Sequence, residues 1–180
     1  MTLSVEEISD RIEIEQLLIR YCHAIDQHDW DGYRAVYTED AVIDDVSAGP
    51  DNSVDEMVEF LASALEKVVL IQHAISTSLI EIDGDTATAR TICHCPVVLD
   101  RGDGRTETFF HGLWYADELV RTPDGWKIAK RTEQELPQHA SGLPLRVANP
   151  APQTAHQRQA HIDEQELRWM WLAGHAAVDL

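Results

Sequence analysis

Two hydrophobic periods, one following the other, constrain this chain more than any other property. From Ile8 to Val68 apolar residues recur every three or four positions, and from Gln72 to Glu135 they alternate. Ile8, Ile12, Ile14, Leu17, Leu18, Tyr21, Cys22 and Ile25 lay one broad apolar stripe along a long helix, which Ser4-Val5-Glu6-Glu7 opens as a capping box. A break at Gln27-His28 separates it from a short second helix that Asp29 caps, with Trp30, Tyr33, Val36 and Tyr37 on the buried side. Residues 41–46 read as a short strand and 47–52 as turn. Ser53-Val54-Asp55-Glu56 is a second capping box, opening a third helix with Met57, Phe60, Leu61, Ala64, Leu65 and Val68 inward.

The alternating half divides into strands at 72–82, 85–99, 106–120 and 126–135. They are joined at Asp83-Gly84, at Asp100-Arg101-Gly102-Asp103-Gly104 and at Thr122-Pro123-Asp124-Gly125. Helices first and hairpin-linked strands after predict an α+β domain, with helices on one face of an antiparallel sheet. A strongly twisted sheet wrapped around a helix leaves a cone open at one end, where a small ligand fits. This domain spans 1–136. Residues 137–180 begin as a connector rich in proline (Pro137, Pro144, Pro150, Pro152). They end in a stretch of helical composition, 156–178, carrying Ile162, Leu167, Trp169, Met170, Trp171 and Leu172. Those tryptophans need cover, and the tail is expected to pack over the pocket mouth or onto a neighbouring subunit.

Among 180 residues, 32 acids face 14 bases, a net charge of −18. Such a surface repels polyanions, so nucleic acid and anionic membranes are excluded as partners. Residues 1–10 are polar and acidic, without the apolar core of a signal peptide, and no apolar run is long enough to span a membrane. Cys22, Cys93 and Cys95 form no disulfide framework, so a reduced, cytoplasmic setting is expected. Strand alternation puts the two sulfurs of Cys93-His94-Cys95 on one face and the imidazole on the other. The three cannot converge on one ion, and no metal or other cofactor is expected.

The chemistry-bearing residues are spread along the chain. Asp26 sits where the first helix stops, and a helix C-terminus disfavours an anion, so this carboxylate wants a cationic or proton-donating partner. The best downstream candidate is His73. A carboxylate bonded to one imidazole nitrogen fixes the tautomer and leaves the other nitrogen as a base. On spacing alone the alternative stays open, with Asp26 capping local backbone and His73 an interior histidine. Tyr21 either donates to a substrate oxygen or is core. Arg131 shares a face with Ala129 and Glu133, opposite Trp126 and Ile128, and either stabilises a developing anion or salt-bridges one of the acids.

Several motifs together resemble the SnoaL-like branch of the nuclear transport factor 2-like superfamily over roughly residues 5–136. They are Tyr21-x4-Asp26-x2-Asp29-Trp30-Asp31, Tyr37-x2-Asp40-Ala41, Gln72-His73, and Asp124-Gly125-Trp126-Lys127-Ile128 with Arg131. The resemblance implies a cystatin-like, cone-shaped α+β barrel. It also implies the cofactor-free elimination that scytalone dehydratase, bile-acid 7α-dehydratase and hexachlorocyclohexane dehydrochlorinase perform as trimers with an Asp–His pair. Asp26 and His73 fall on that pair, Tyr21 on a tyrosine of the bile-acid enzyme and Arg131 on a shared pocket arginine. Trp30, Tyr37, Thr91 and His111 are the expected substrate-contacting residues. The chain departs from scytalone dehydratase at Ile43-Asp44-Asp45-Val46, where that enzyme has a tyrosine, and at Thr91, where it has a histidine. Scytalone is therefore not the expected substrate, and nothing after Pro137 matches a family pattern.

The expectation is a homo-oligomeric lyase of dehydratase type acting on a small hydrophobic cyclic compound. Alternatives are a steroid isomerase or polyketide cyclase, which move a proton with the same parts, a non-catalytic small subunit of an aromatic-ring hydroxylating dioxygenase, or a ligand-binding protein without chemistry.

Overall fold

The computed structural model describes residues 2–102, 104–135 and 147–149. Helix α1 (Val5–Asp26) begins where the Ser4 hydroxyl accepts the Glu7 amide. Its stripe of Ile14, Leu17, Leu18, Tyr21, Cys22 and Ile25 is buried. The break expected at Gln27-His28 is present: His28 has φ 55°, and the amide of Asp29 returns to the Ala24 carbonyl at 2.8 Å. Helix α2 (Trp30–Ala35) starts at once, because Asp29 accepts the Gly32 amide at 3.0 Å. A Cβ at residue 32 would lie 2.3 Å from the Asp29 carboxylate and would push that cap aside. Helix α3 (Val54–Ala64) carries the complete capping box of Ser53 and Glu56.

The sheet strands are β1 (Tyr37–Asp45), β2 (Gly49–Asn52), β3 (Val68–Ile71), β4 (Ala74–Asp83), β5 (Thr86–Asp100), β6 (Thr106–Thr122), β7 (Gly125–Glu135) and β8 (Val147–Asn149). They form one curved, unclosed sheet in the order β2-β1-β7-β6-β5-β3, with β4 also on β5 and β8 on β6. The hairpins β4–β5, β5–β6 and β6–β7 follow the alternation read from sequence, and β5 pairs with β6 without interruption from Thr86 to Asp100. Residues 49–52, expected as turn, form β2, and three features of helix end and strand pairing also depart from that reading. First, β1 starts at Tyr37, so this residue belongs to the sheet rather than to α2. Second, β1 runs parallel to β7, which makes the sheet mixed rather than purely antiparallel. Third, the register of β6 and β7 slips between Glu118 and Leu119. That bulge spends one residue of β7, so Trp126, Ile128 and Arg131 are all buried, where strict alternation puts Arg131 opposite the other two.

The edge strand breaks at Gln72-His73: the expected strand 72–82 is β4, starting at Ala74, while β3 begins at Val68, which the sequence pattern had put on the third helix. Pro96 of β5 supplies the reason. Its carbonyl accepts the Gln72 amide at 3.2 Å, but proline has no N–H to give back, so the ladder on this edge lacks one donor. The ladder lapses there, and His73 occupies the gap.

Inside the curve, α1 packs on β4 and β7, and α3 packs on β1. A buried polar knot sets the angle of α1. Asp10 accepts both ends of the Arg121 guanidinium at 2.7 Å and the Trp126 indole N–H at 3.1 Å. These bonds hold the Asp10 carboxyl below its ordinary range, with Arg121 the largest cause. In the expected connector, Val147–Asn149 adds to the edge of β6 at Thr106–Thr108. The expected helical tail at 156–178, with the packing anticipated for it, lies outside the described residues.

Candidate active site

The break in the edge strand brings His73 to the end of α1. Its imidazole Nδ1–H donates to Asp26 Oδ1 at 2.7 Å, and its backbone N–H is shared by the two carboxylate oxygens at 3.0 Å each. The Asp26 side chain is 21% exposed and that of His73 only 7%. The anion at the helix C-terminus thus finds a proton donor, as its position demands. With Nδ1 carrying the proton, Nε2 holds a lone pair, and it takes no partner among the described residues.

His73 lines an apolar cavity of about 340 Å³. Ile25 of α1, Met57, Phe60 and Leu61 of α3, Val97 of β5 and Leu113 of β6 are among the apolar residues of its wall. Tyr21 and His111 also line it, as do two carboxyl groups, Asp45 and Glu133. Tyr21 stands beside the histidine, ring centroids 6.2 Å apart and edge to face. Burial pushes its phenol well above the usual tyrosine range, so the hydroxyl stays neutral and can act as a donor.

Arg131 does not line the cavity. It is fully buried beneath it and is clamped by Asp117 of β6 through two bonds of 2.7 and 2.8 Å. The Tyr21 and Tyr115 rings cover the guanidinium carbon at 3.8 and 4.3 Å. Of its two possible roles, the salt bridge is therefore the contact present, and any influence on a ligand passes through the Tyr21 ring. Trp30, Tyr37 and Thr91 also lie outside the cavity lining. Trp30 stacks on His28 at 5.6 Å. Tyr37 packs edge-on against Tyr21 at 6.3 Å. Thr91, wholly buried, shares a hydrogen bond of 2.9 Å with Ser78. Cys93 and Cys95 are buried while His94 is exposed, so the three face opposite sides of the sheet.

Asp45 and Glu133 escaped the sequence reading. Each is one acid among many, and only the parallel pairing of β1 with β7, with Asp44 opposite Thr132, sets them side by side. Burial first, and the neighbouring Asp45 next, push the Glu133 carboxyl up to about 8.

The model of the SnoaL-like domain family matches residues 6–132. An uncharacterized protein of Mycobacterium tuberculosis strain H37Rv is 45% identical over 132 residues, covering 73% of this chain and 88% of its own. Among solved structures, a candidate aromatic ring hydroxylase from Novosphingobium aromaticivorans is 30% identical, with a TM-score of 0.62 over 79% of this chain and 94% of that one. A type 2 hexachlorocyclohexane dehydrochlorinase superposes at a TM-score of 0.66 over 82% of this chain and 95% of that one. At 14% identity it is a likeness of fold alone. With a cystatin-like sheet enclosing its helices and a family match over most of its length, this chain belongs to the SnoaL-like domain family.

Proposed function

We propose that the protein is a cofactor-independent lyase that removes water from a small hydrophobic cyclic compound bearing a carbonyl. The observation that carries this reading is the 2.7 Å bond from His73 Nδ1 to Asp26 at the wall of an apolar cavity. A cavity of about 340 Å³ suits a compact ring system. His73 Nε2 takes a proton from the carbon next to the carbonyl. Asp26 holds the ring in the required tautomer and stabilises the imidazolium that forms, as carboxylate–histidine pairs do elsewhere. The neutral Tyr21 hydroxyl donates to the carbonyl oxygen as charge develops there. Arg131, stacked on that ring, raises its donor strength through the cation–π contact. A dry wall strengthens each of these interactions. A homo-oligomer, trimeric as in the enzymes this chain resembles, is part of the same proposal.

The test incubates the protein with cyclic β-hydroxyketones in D2O and follows formation of the conjugated enone. His73→Ala is expected to abolish turnover, and undiminished turnover in that variant would remove the mechanism. The likeness to the candidate aromatic ring hydroxylase favours a second reading, a non-catalytic small subunit of a ring-hydroxylating oxygenase. Co-purification with a larger iron–sulfur protein would favour it.

A further inference from the structure

A base supplies half of an elimination, because hydroxide is a poor leaving group and needs a proton of its own. The same cavity holds a candidate for that half. Asp45, the last residue of β1, and Glu133 of β7 both line it together with His73. With Asp44 opposite Thr132, the two carboxyl groups are neighbours on this wall, and like charges so placed resist ionising together.

Geometry decides which one keeps its proton. Asp45 Oδ1 accepts the backbone amides of Ser47 and Ala48, both at 2.7 Å, so this oxygen is already committed as an acceptor. Glu133 lines the same wall and accepts no such amide among the described residues, and burial with the neighbouring Asp45 pushes its carboxyl up to about 8, so the proton rests on Glu133. The surrounding charges leave this assignment in place. Arg131, two residues back on β7, is engaged by Asp117 of β6 in a bidentate pair. Tyr21 of α1, Tyr33 of α2 and Tyr115 of β6 are all held neutral by burial. The remaining titratable groups on the wall are the two histidines, His73 and His111, and Cys95, whose thiol burial keeps neutral.

Resting on the elimination reading above, we propose that Glu133 is the general acid of this site and protonates the departing hydroxyl while His73 removes the proton from carbon. The electron pair of the broken C–H bond forms the new double bond, and the C–O pair leaves with the Glu133 proton as water. His73 then returns its proton to solvent, and Glu133 regains one from it. Asp45 is a positioning residue that keeps Glu133 protonated.

A matched pair of probes separates acid from base. 3-Hydroxycyclohexanone needs a protonated leaving group, whereas 3-chlorocyclohexanone releases chloride unaided, and both give the same enone. In Glu133→Gln the ratio of hydroxyl to chloride turnover is expected to fall about 10²–10⁴-fold. The wild-type rate on the hydroxyl probe should fall as pH rises through about 8, where Glu133 ionises. In Asp45→Asn, whose amide favours the ionised glutamate, that fall should move to lower pH. An unchanged ratio in folded Glu133→Gln, or an unmoved profile in Asp45→Asn, overturns the proposal. His73→Ala should lose both substrates together. If it loses neither, or the wild type turns over neither probe, the base reading fails and the acid falls with it.

Discussion

Asp26→Asn is the most informative single substitution, because the two side chains have the same shape and differ in charge and in one donor. In the wild type, Asp26 Oδ1 accepts the ring Nδ1–H at 2.7 Å and the His73 backbone N–H at 3.0 Å, while Oδ2 shares that backbone N–H at 3.0 Å. An asparagine offers only one oxygen. If that oxygen faces the ring, the amide NH2 points at the backbone N–H, donor against donor. If it faces away, the NH2 meets ring Nδ1 and drives the proton to Nε2, which ends the base. Either way a charge-assisted bond of about 1.5–3 kcal/mol becomes a neutral one of about 0.5–1.5 kcal/mol, with one unfavourable contact added. A stability loss of about 1–3 kcal/mol should appear in urea unfolding. The catalytic loss should be larger, because the imidazolium in the transition state also loses its counter-charge. At 1.36 kcal/mol per tenfold, a deficit of about 3–5 kcal/mol corresponds to roughly 10²–10⁴-fold in kcat with little change in KM. A variant whose kcat stays within threefold of the wild type would refute the role given to Asp26.

Asp117→Ala leaves the buried Arg131 guanidinium without its carboxylate and should cost about 3–5 kcal/mol in thermal or urea unfolding, far more than a surface ion pair. Glu133→Gln should change the pH dependence of stability. Folding raises this carboxyl from 4.5 to about 8, so its contribution is complete below about 4.5 and is lost as pH rises towards 8. That interval corresponds to roughly 4–5 kcal/mol. Unfolding measured across it should show the variant gaining on the wild type as pH rises. Thr91→Val breaks only the bond to Ser78 and should cost about 1 kcal/mol with no change in KM, as expected for a residue outside the cavity.

The helices and hairpins were legible because their causes are local. Ser4, Asp29 and Ser53 cap within three residues of themselves, and the alternation of 85–99 needs only the pleat. Asp26 could be flagged from its place at a helix end. Joining it to His73, 47 residues away, rested on family resemblance and not on spacing. The relations that escaped are those made between distant strands. A parallel neighbour such as β1 on β7 leaves no turn in the sequence, so nothing marked Asp45 and Glu133 as partners. The bulge opposite Glu118 and Leu119 likewise leaves no local mark, and strict alternation therefore misplaced Arg131 relative to Ile128. The break at His73 is partly readable in hindsight, from a proline on the strand that faces it.

Nitrogen NMR of the His73 imidazole tests the central claim most directly. A proton fixed on Nδ1, slow to exchange, with Nε2 bare, is the predicted tautomer, and Asp26→Asn should disturb it. A ring protonated at Nε2 in the wild type would leave no base facing the cavity and would contradict the account.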